Sequence, residues 1–407
     1  MVIILGSYIT LGIEGTDIDF EKNFSFRDHS KLFLPADKKK IPYVYGDEII
    51  QMRDGYARVL SSVKNRLDLL GYSMKSVEEK YNQFLFSVEL YSVGVKIPFE
   101  IFHNVVYNID IKEASVFDQG EYDLIGFWGY LTKQFRINLE FKKFISTIED
   151  EDGEYQSFYY LDEYFERIDP YIIIRIIAEN PINHTLELNW KYRDIVENGW
   201  VAEESIFKGL SNKDKILIVT EGSSDSFIIK RSIDDLYPDI SDFFEFVDME
   251  ENYPFTGVGN LFKFLKGLIS IGVQNNIIFI FDNDIAGNEI YSLALGNEKP
   301  NNIVVIKLPY CTEFENFETI GPSGLHIVNI NDKAVAIECF LDFTSVGSKP
   351  LVRWTSYSKK LNEYQGELVK KDSYVKAFKK ANLLGSNYDT EKLRKLIDYL
   401  LEKWVNN

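Results

Sequence analysis

Cysteine, histidine and long apolar runs are all scarce in this sequence, and each scarcity removes a class of protein. The two cysteines, Cys311 and Cys339, are too few for a disulfide framework or a four-cysteine zinc site. They fit a reducing, cytoplasmic setting. The four histidines, His29, His103, His184 and His326, form no pair at metal-ligand spacing. No apolar run is long enough to span a membrane, and Met1-Val-Ile-Ile-Leu-Gly6 lacks the basic start and long apolar stretch of a signal peptide, so no membrane partner is expected. A Gly-x4-Gly-Lys-Ser/Thr loop is missing too, so any ATP hydrolysis would have to come from a partner. Neither an internal repeat nor a low-complexity segment is evident.

What is present argues for a folded, multi-part chain. Apolar residues at 45% and aromatics at 15% imply a filled interior rather than disorder. At 407 residues the chain is too long for one ordinary core, so two domains and an appendage are expected. The formal charge, 45 minus 63 or -18, opposes nucleic-acid binding at first sight. Its distribution is uneven: residues 346–407 hold 13 Lys or Arg against 7 Asp or Glu, a local +6 that leaves -24 for the rest. That basic segment reads as a phosphate-binding face or as a solvated helical surface, and composition does not choose.

Along the chain, Val2 to Phe20 alternates around Gly12, Gly15 and Thr16-Asp17, the pattern of a β-hairpin. Phe24 to Pro42 reads as loop. Helical spacing of Val59, Val63, Leu67 and Leu70 predicts a helix over 54–70 that stops at Gly71, and a second over 76–86. Residues 88–110 are ambiguous, 158–180 read as helix interrupted at Pro170, and 190–197 as a further helix. Gly199 to Asp214 forms a polar link.

From Lys215 the pattern turns regular. Strands are predicted at 216–220, 244–247, 277–281 and 303–308, separated by helices at 224–236, 258–271 and 286–295. Alternation of this kind specifies βαβ units and a parallel sheet with helices on both faces. One or two short strands are expected within 325–335, a short helix from Glu338, and helices around 374–382 and 390–404.

Two of the apolar runs end on acids. Ile216 to Val219 leads to Glu221, with Asp225 one helical turn further, and Ile277 to Phe281 leads to Asp282 and Asp284. Ligand sites in open α/β sheets lie beyond the carboxyl ends of the strands. Carboxylates gathered there repel one another unless a cation sits among them. Magnesium suits such a set, because it takes hard oxygen ligands and retains several waters. Asp282 and Asp284, two apart, can face one ion while Asn283 points away. Gly287 lets the next helix start close by, and Gly222 allows a tight turn after Glu221. Alone, Asp-x-Asp is also a common solvated loop pair, and Ser224 or Asp225 is also a normal N-cap.

Together, Ile218-Val-Thr-Glu221-Gly-Ser-Ser-Asp225 and Phe281-Asp282-Asn-Asp284-Ile-Ala-Gly287 resemble the Toprim domain shared by topoisomerases, bacterial primases and OLD-type nucleases. The resemblance spans about 215–343. It implies a Toprim, Rossmann-like sheet in which Glu221 is a metal ligand or general acid/base and Asp282 and Asp284 hold magnesium. The acid at Asp225 is similar to the OLD-like branch, which also carries a Glu in the context that Ile337-Glu338-Cys-Phe340 matches loosely. A distal lysine acts there as transition-state stabiliser; Lys371 is the candidate, Lys370 and Lys376 its rivals, and surface solvation the alternative.

Upstream, Leu5-Gly-Ser-Tyr8, Asp17-Ile-Asp19, Lys22-Asn23 and Asp28-His-Ser-Lys-Leu-Phe33 are similar to the N-terminal domain of HEPN/Toprim-associated bacterial proteins, which implies a role in defence against phages and foreign DNA. HEPN ribonucleases carry an Arg-x4-6-His motif; none occurs here, and Arg27-Asp-His29 is too short. His29 is therefore read as a loop or packing residue. Tyr159, Tyr160, Tyr164 and Phe165 could stack bases, but core packing accounts for them more simply.

The division that follows is 1–205, an N-terminal HEPN/Toprim-associated α+β domain; 206–345, a Toprim catalytic domain; and 346–407, a basic helical C-terminal segment. The expected function is that of a metal-dependent endonuclease hydrolysing nucleic-acid phosphodiester bonds, DNA rather than RNA on the resemblance, as effector of an anti-phage system. One or two Mg2+ ions, replaceable by Mn2+, would sit on Glu221, Asp225, Asp282, Asp284 and Glu338, with Glu221, Asp282, Asp284 and Lys371 in the catalytic roles. Expected partners are nucleic acid, an activating protein such as a defence-operon ATPase, and further copies of the chain. The chain lacks a primase's zinc cluster and a topoisomerase's bulk. The competing expectation is a non-catalytic or partner-activated module that senses a phage or host protein; the acidic body favours it, since it repels free nucleic acid.

Overall fold

The computed structural model describes residues 7–45, 49–89, 96–115, 126–146, 161–247, 257–296, 298–347, 349–359, 361–385 and 387–407. They form two compact units, Met1–Gly209 and Leu210–Asn407.

The first unit is built on a five-stranded antiparallel sheet. Its strands are β1 (Tyr8–Ile13), β2 (Thr16–Lys22), β3 (Lys38–Tyr45), β4 (Ile49–Val59) and β5 (Glu187–Lys191), in the order β2-β1-β5-β4-β3. The predicted hairpin is β1–β2, turning at Glu14 and Gly15, both at positive φ. Three departures from the local pattern occur, and those of β4 and β5 share one cause. Lys38 to Tyr45 is strand rather than loop; β4 runs to Val59 where helix was expected from Asp54; and Trp190 lies in β5, with only Arg193–Glu197 helical. Tyr56 and Ala57 pair with Trp190 and Asn189, which lie more than a hundred residues downstream. Fully burying the Trp190 indole in that ladder outweighs helical propensity, and no local window contains both partners.

The helices of this unit are α1 (Leu60–Leu69), α2 (Met74–Glu89), α3 (Phe99–Tyr107), α4 (Ile111–Ser115), α5 (Gly126–Ile137), α6 (Leu139–Ser146), α7 (Leu161–Glu166), α8 (Pro170–Ile177) and α9 (Arg193–Glu197). Pro170 starts α8 rather than breaking a helix, with Asp169 as N-cap accepting from Tyr171 N. Every residue from Tyr171 to Ile177 is buried, so α8 is the centre of the core. Tyr164 and Phe165 are buried there too, as core packing required; Tyr159 and Tyr160 lie outside the described residues. His29 is buried, its ring bonded to Tyr171 OH and Asp19 Oδ2.

The second unit carries a four-stranded parallel sheet of β6 (Ile216–Val219), β7 (Phe244–Phe246), β8 (Asn276–Phe281) and β10 (Ile303–Lys307), ordered β10-β8-β6-β7. Its helices are α10 (Ser223–Leu236), α11 (Val258–Ser270) and α12 (Ile285–Leu295). Ile277, Phe279 and Phe281 of β8 pack with Leu261, Leu265 and Ala294. Ile278 and Ile280 alternate to the opposite face, where α10 packs on the C-terminal helix α14 (Glu391–Val405). The chain steps from β6 outward to β7, then returns past β6 to β8 and on to β10. The direction therefore reverses between β6 and β8.

Three further elements complete the unit. A two-residue strand β9 (Asn283–Asp284) pairs antiparallel with β13 (Ala334–Val335). A second sheet, ordered β12-β11-β14-β15, is formed by β11 (Phe317–Gly321), β12 (Gly324–Val328), β14 (Val352–Ser358) and β15 (Glu363–Leu368). Helix α13 (Lys371–Lys380) follows β15. The reading of the sequence assigned no strand to 352–368. No helix among the described residues is long and apolar enough to cross a membrane.

Candidate metal centre

The acids gather at the point where the sheet reverses direction, the place where open α/β sheets bind ligands. Glu221 follows β6. Its carbonyl accepts from Gly257 N (3.2 Å) and its Oε1 from Asp282 N (3.0 Å), which ties the end of β6 to the end of β8. Asp225 lies in the first turn of α10, where Oδ2 accepts from Gly222 N (3.0 Å) and Oδ1 from Ser224 Oγ (3.2 Å). It thus caps its own helix. Gly222 is extended, and a Cβ there would meet Asp225 only at ordinary contact distance, 3.6 Å, so the turn does not require glycine.

The Asp282-Asn283-Asp284 loop is held from several sides. Asp284 is the N-cap of α12, its Oδ1 accepting from Gly287 N (2.7 Å), while Oδ2 accepts from Gln365 Nε2 on β15. Gln365 Oε1 in turn accepts from Ala286 N (3.2 Å). Gly287 is required here, because a Cβ would stand 2.2 Å from Asp282 O. Asn283 is fully buried and accepts from Asn288 Nδ2 (3.3 Å). Lys307 Nζ braces the loop from behind, donating to Asn288 Oδ1 (2.7 Å) and Asp332 Oδ1 (2.5 Å). Glu338 arrives through the β9–β13 pair, since Val335 stands opposite Asn283 and the short 3-10 turn Ile337–Phe340 follows.

Electrostatics joins the five acids. Withdrawal from water, then Asp225, Glu221, Asp284 and Glu338 in that order, push the Asp282 carboxyl well above the carboxylate range. Burial, followed by Asp284 and Asp225, pushes Glu221 up to about 7. Burial and then Glu338 push Asp225 up to about 7, partly offset by its two hydrogen bonds and by the ammonium of Lys371. Asp284 is raised by burial against the N–H groups of Gly287, Gln365 and Ala286. Lys371 is exposed at the start of α13; Lys370 beside it, at φ 62°, and Lys376 are exposed as well.

Among the described residues no three His, Cys, Asp or Glu side chains close on one point as a ready cage. Magnesium does not need one, because it is held by one or two carboxylates and retains its waters. The donor set fits it. The carboxylates of Asp282 and Glu338 have no hydrogen-bonding or ionic partner among the described residues, yet Glu338 is only 6% exposed. Asp282 is half-buried, and its carboxyl, raised well above the ordinary range by desolvation and then by its acidic neighbours, takes a proton or a cation. Gln365, Asn288 and Lys307 escaped the reading of the sequence; only Asn288, four residues after Asp284 on one helix face, left a local signal.

A known family covers residues 5–214, described as HEPN/Toprim N-terminal domain 1. The chain belongs to that family. No curated protein and no solved structure matches it. The HEPN/Toprim match ends just before Lys215, so the acid cluster lies in the part of the chain that the family does not describe. Within the matched domain, the sheet face that carries Tyr8, Thr10 and Lys191 holds a cleft of about 330 Å3 whose lining includes Asp17, Phe20 and Tyr43.

Proposed function

We propose that the second unit is a magnesium-dependent nuclease that hydrolyses phosphodiester bonds, DNA in preference to RNA, as effector of a bacterial anti-phage system. The observation that carries this reading is the gathering of Asp225, Glu221, Asp284 and Glu338 about Asp282 at the switch point between β6 and β8. Membership of the HEPN/Toprim N-terminal family supports the setting, and the Toprim-like spacing of the acids supports the chemistry.

Asp282 and Glu338 would hold the ion, with Asp284, Asp225 and Glu221 around it; Asp225 and Glu338 would be the ligands of a second ion. When bound, the ion offsets the repulsion and lowers the pKa of water. Glu221, tethered through Oε1 to Asp282 N, keeps one oxygen for accepting a proton from the attacking water. Lys371 supplies a positive charge at the rim for the phosphate. Asp284 is a positioning carboxylate as much as a ligand, since both its oxygens are already bonded.

The test is cleavage of plasmid and single-stranded substrates with Mg2+ or Mn2+, alone and with proteins encoded beside it, comparing wild type with Glu221→Gln and Asp282→Asn. Loss of both cleavage and metal affinity in the variants supports the reading. If neither depends on these acids, the second unit is a binding module instead. The helix-capping roles of Asp225 and Asp284 and the charge of -18 favour that second reading.

A further inference from the structure

The basic excess of the C-terminal segment is concentrated in one place. Residues 349–380, which form β14, β15 and α13, hold nine Lys or Arg against Glu363, Glu367 and Asp372, a balance of +6. Residues 381–407 hold four of each sign and contribute nothing. In a chain of -18 this stretch is complementary to a polyanion.

The same stretch carries an aromatic row. Tyr357 pairs with Tyr364 across the β14–β15 ladder, their rings 4.9 Å apart, and Trp354 pairs with Gly366, its ring 6.5 Å from Tyr364. A Cβ on Gly366 would stand 2.7 Å from Val352, 2.8 Å from Ala334 and 3.0 Å from the Trp354 ring, so the glycine leaves room for all three. The tyrosines are 46% and 47% exposed, so both rings offer surface to solvent. Glu363, Gln365 and Glu367 alternate to the other face of β15, so the acids of the ladder are off the aromatic face.

This edge strand adjoins the acid cluster. Gln365, next to Tyr364, donates to Asp284, and four residues beyond Glu367 stands Lys371, whose charge acts on Asp225. The Gln365 face of β15 thus lies against the cluster, the rings occupy the other face of the same strand, and the lysines at the start of α13 follow its end.

We propose that β14, β15 and the start of α13 form a track for single-stranded nucleic acid, with bases on Trp354, Tyr357 and Tyr364 and phosphates near Lys370 and Lys371. The proposal rests on the nuclease reading for the fate of the strand, though not for its binding. A single strand is required because rings stack only on bases freed from pairing; a duplex presents its backbone alone.

The experiment measures fluorescence polarisation of a labelled DNA oligonucleotide, single-stranded and as duplex, on the full chain in EDTA. The single strand is expected to bind about tenfold more tightly than the duplex, and Tyr357→Ala with Tyr364→Ala to remove about tenfold or more of that affinity. Tyr364→Phe retains it, and Lys370→Ala flattens the salt dependence by about 0.7 in log-log slope. Thermal melting of the alanine variants is unchanged. Equal binding of both forms, or alanine variants that bind as wild type, overturns the track; so does an altered sedimentation coefficient with unaltered strand binding, which makes the face a protein interface. If binding follows the rings but Mn2+ brings no cleavage and Asp282→Asn leaves Mn2+ affinity intact, the nuclease reading falls and the track stands. If cleavage depends on Asp282 while the rings are dispensable, only the track falls.

Discussion

The side-chain amide of Gln365 donates to Asp284 Oδ2 across 81 residues of sequence, and its carbonyl oxygen accepts from Ala286 N. One residue of the second sheet thereby holds both the carboxylate and the helix start of the Asp-x-Asp loop. Groups that orient a ligand in this way affect metal affinity by about 10- to 100-fold. Gln365→Ala is therefore expected to weaken Mn2+ binding by about tenfold or more, read by titration calorimetry, with little change in melting temperature. Gln365→Glu adds a sixth acid and should weaken metal-free stability, with Mg2+ restoring it.

The acid cluster also sets a pH dependence whose sign follows from the raised pKa values. Between the ordinary carboxylate range, about 4, and about 7 or above, the folded metal-free protein holds protons that the unfolded chain has released. These groups therefore make the protein less stable as pH rises through that window. Asp282→Asn removes one of them. In EDTA the variant should melt higher than wild type at pH 8, and the gain should vanish near pH 4. Mg2+ should stabilise the wild type and do little for the variant. A gain that grows towards acid pH would contradict this account.

Two glycines of the candidate motifs should respond differently. A Cβ on Gly287 would lie 2.2 Å from Asp282 O, a backbone atom that cannot move without the acid loop. Gly287→Ala is expected to cost about 2–3 kcal/mol and to weaken metal binding with it. Gly222→Ala, at ordinary contact distance, should stay within about 1 kcal/mol. Chemical denaturation of both variants beside wild type makes the comparison.

In the HEPN/Toprim domain, Arg175 is 5% exposed and reaches two acids, Asp68 through Nε (2.7 Å) and Glu179 through a terminal nitrogen (2.5 Å). Arg175→Met would leave Asp68 in a buried setting that already raises its pKa. Breaking such a pair costs about 3 kcal/mol, and lysine cannot reproduce the fork geometry. Urea unfolding should show that loss for both Arg175→Met and Arg175→Lys.

The parallel sheet was readable because each of its parts is local. Ile216–Val219 and Ile277–Phe281 are short apolar runs that end in polar turns, and the helices between them carry their own period. The N-terminal sheet departs from the local pattern at β4 and β5, where strand and helix propensities compete and the deciding partner is distant: Tyr56 becomes strand because Trp190 lies beside it, while β3 is the hairpin partner of β4. Residues 352–368 form the β14–β15 hairpin, which joins its sheet by a short parallel pairing of Val352 and Arg353 with β11, some thirty residues earlier.

By itself the sequence determined that acids end two apolar strands, that the C-terminal stretch is basic, and that cysteines are too few for a disulfide framework or a four-cysteine zinc site. Those are properties of residue type and short-range spacing. The tertiary structure alone decided that the sheet reverses between β6 and β8, that Glu338 enters through the β9–β13 pair, and that Gln365 clamps Asp284. Strand order and register are set by burial shared among segments far apart in the chain, and no window of local sequence holds that information.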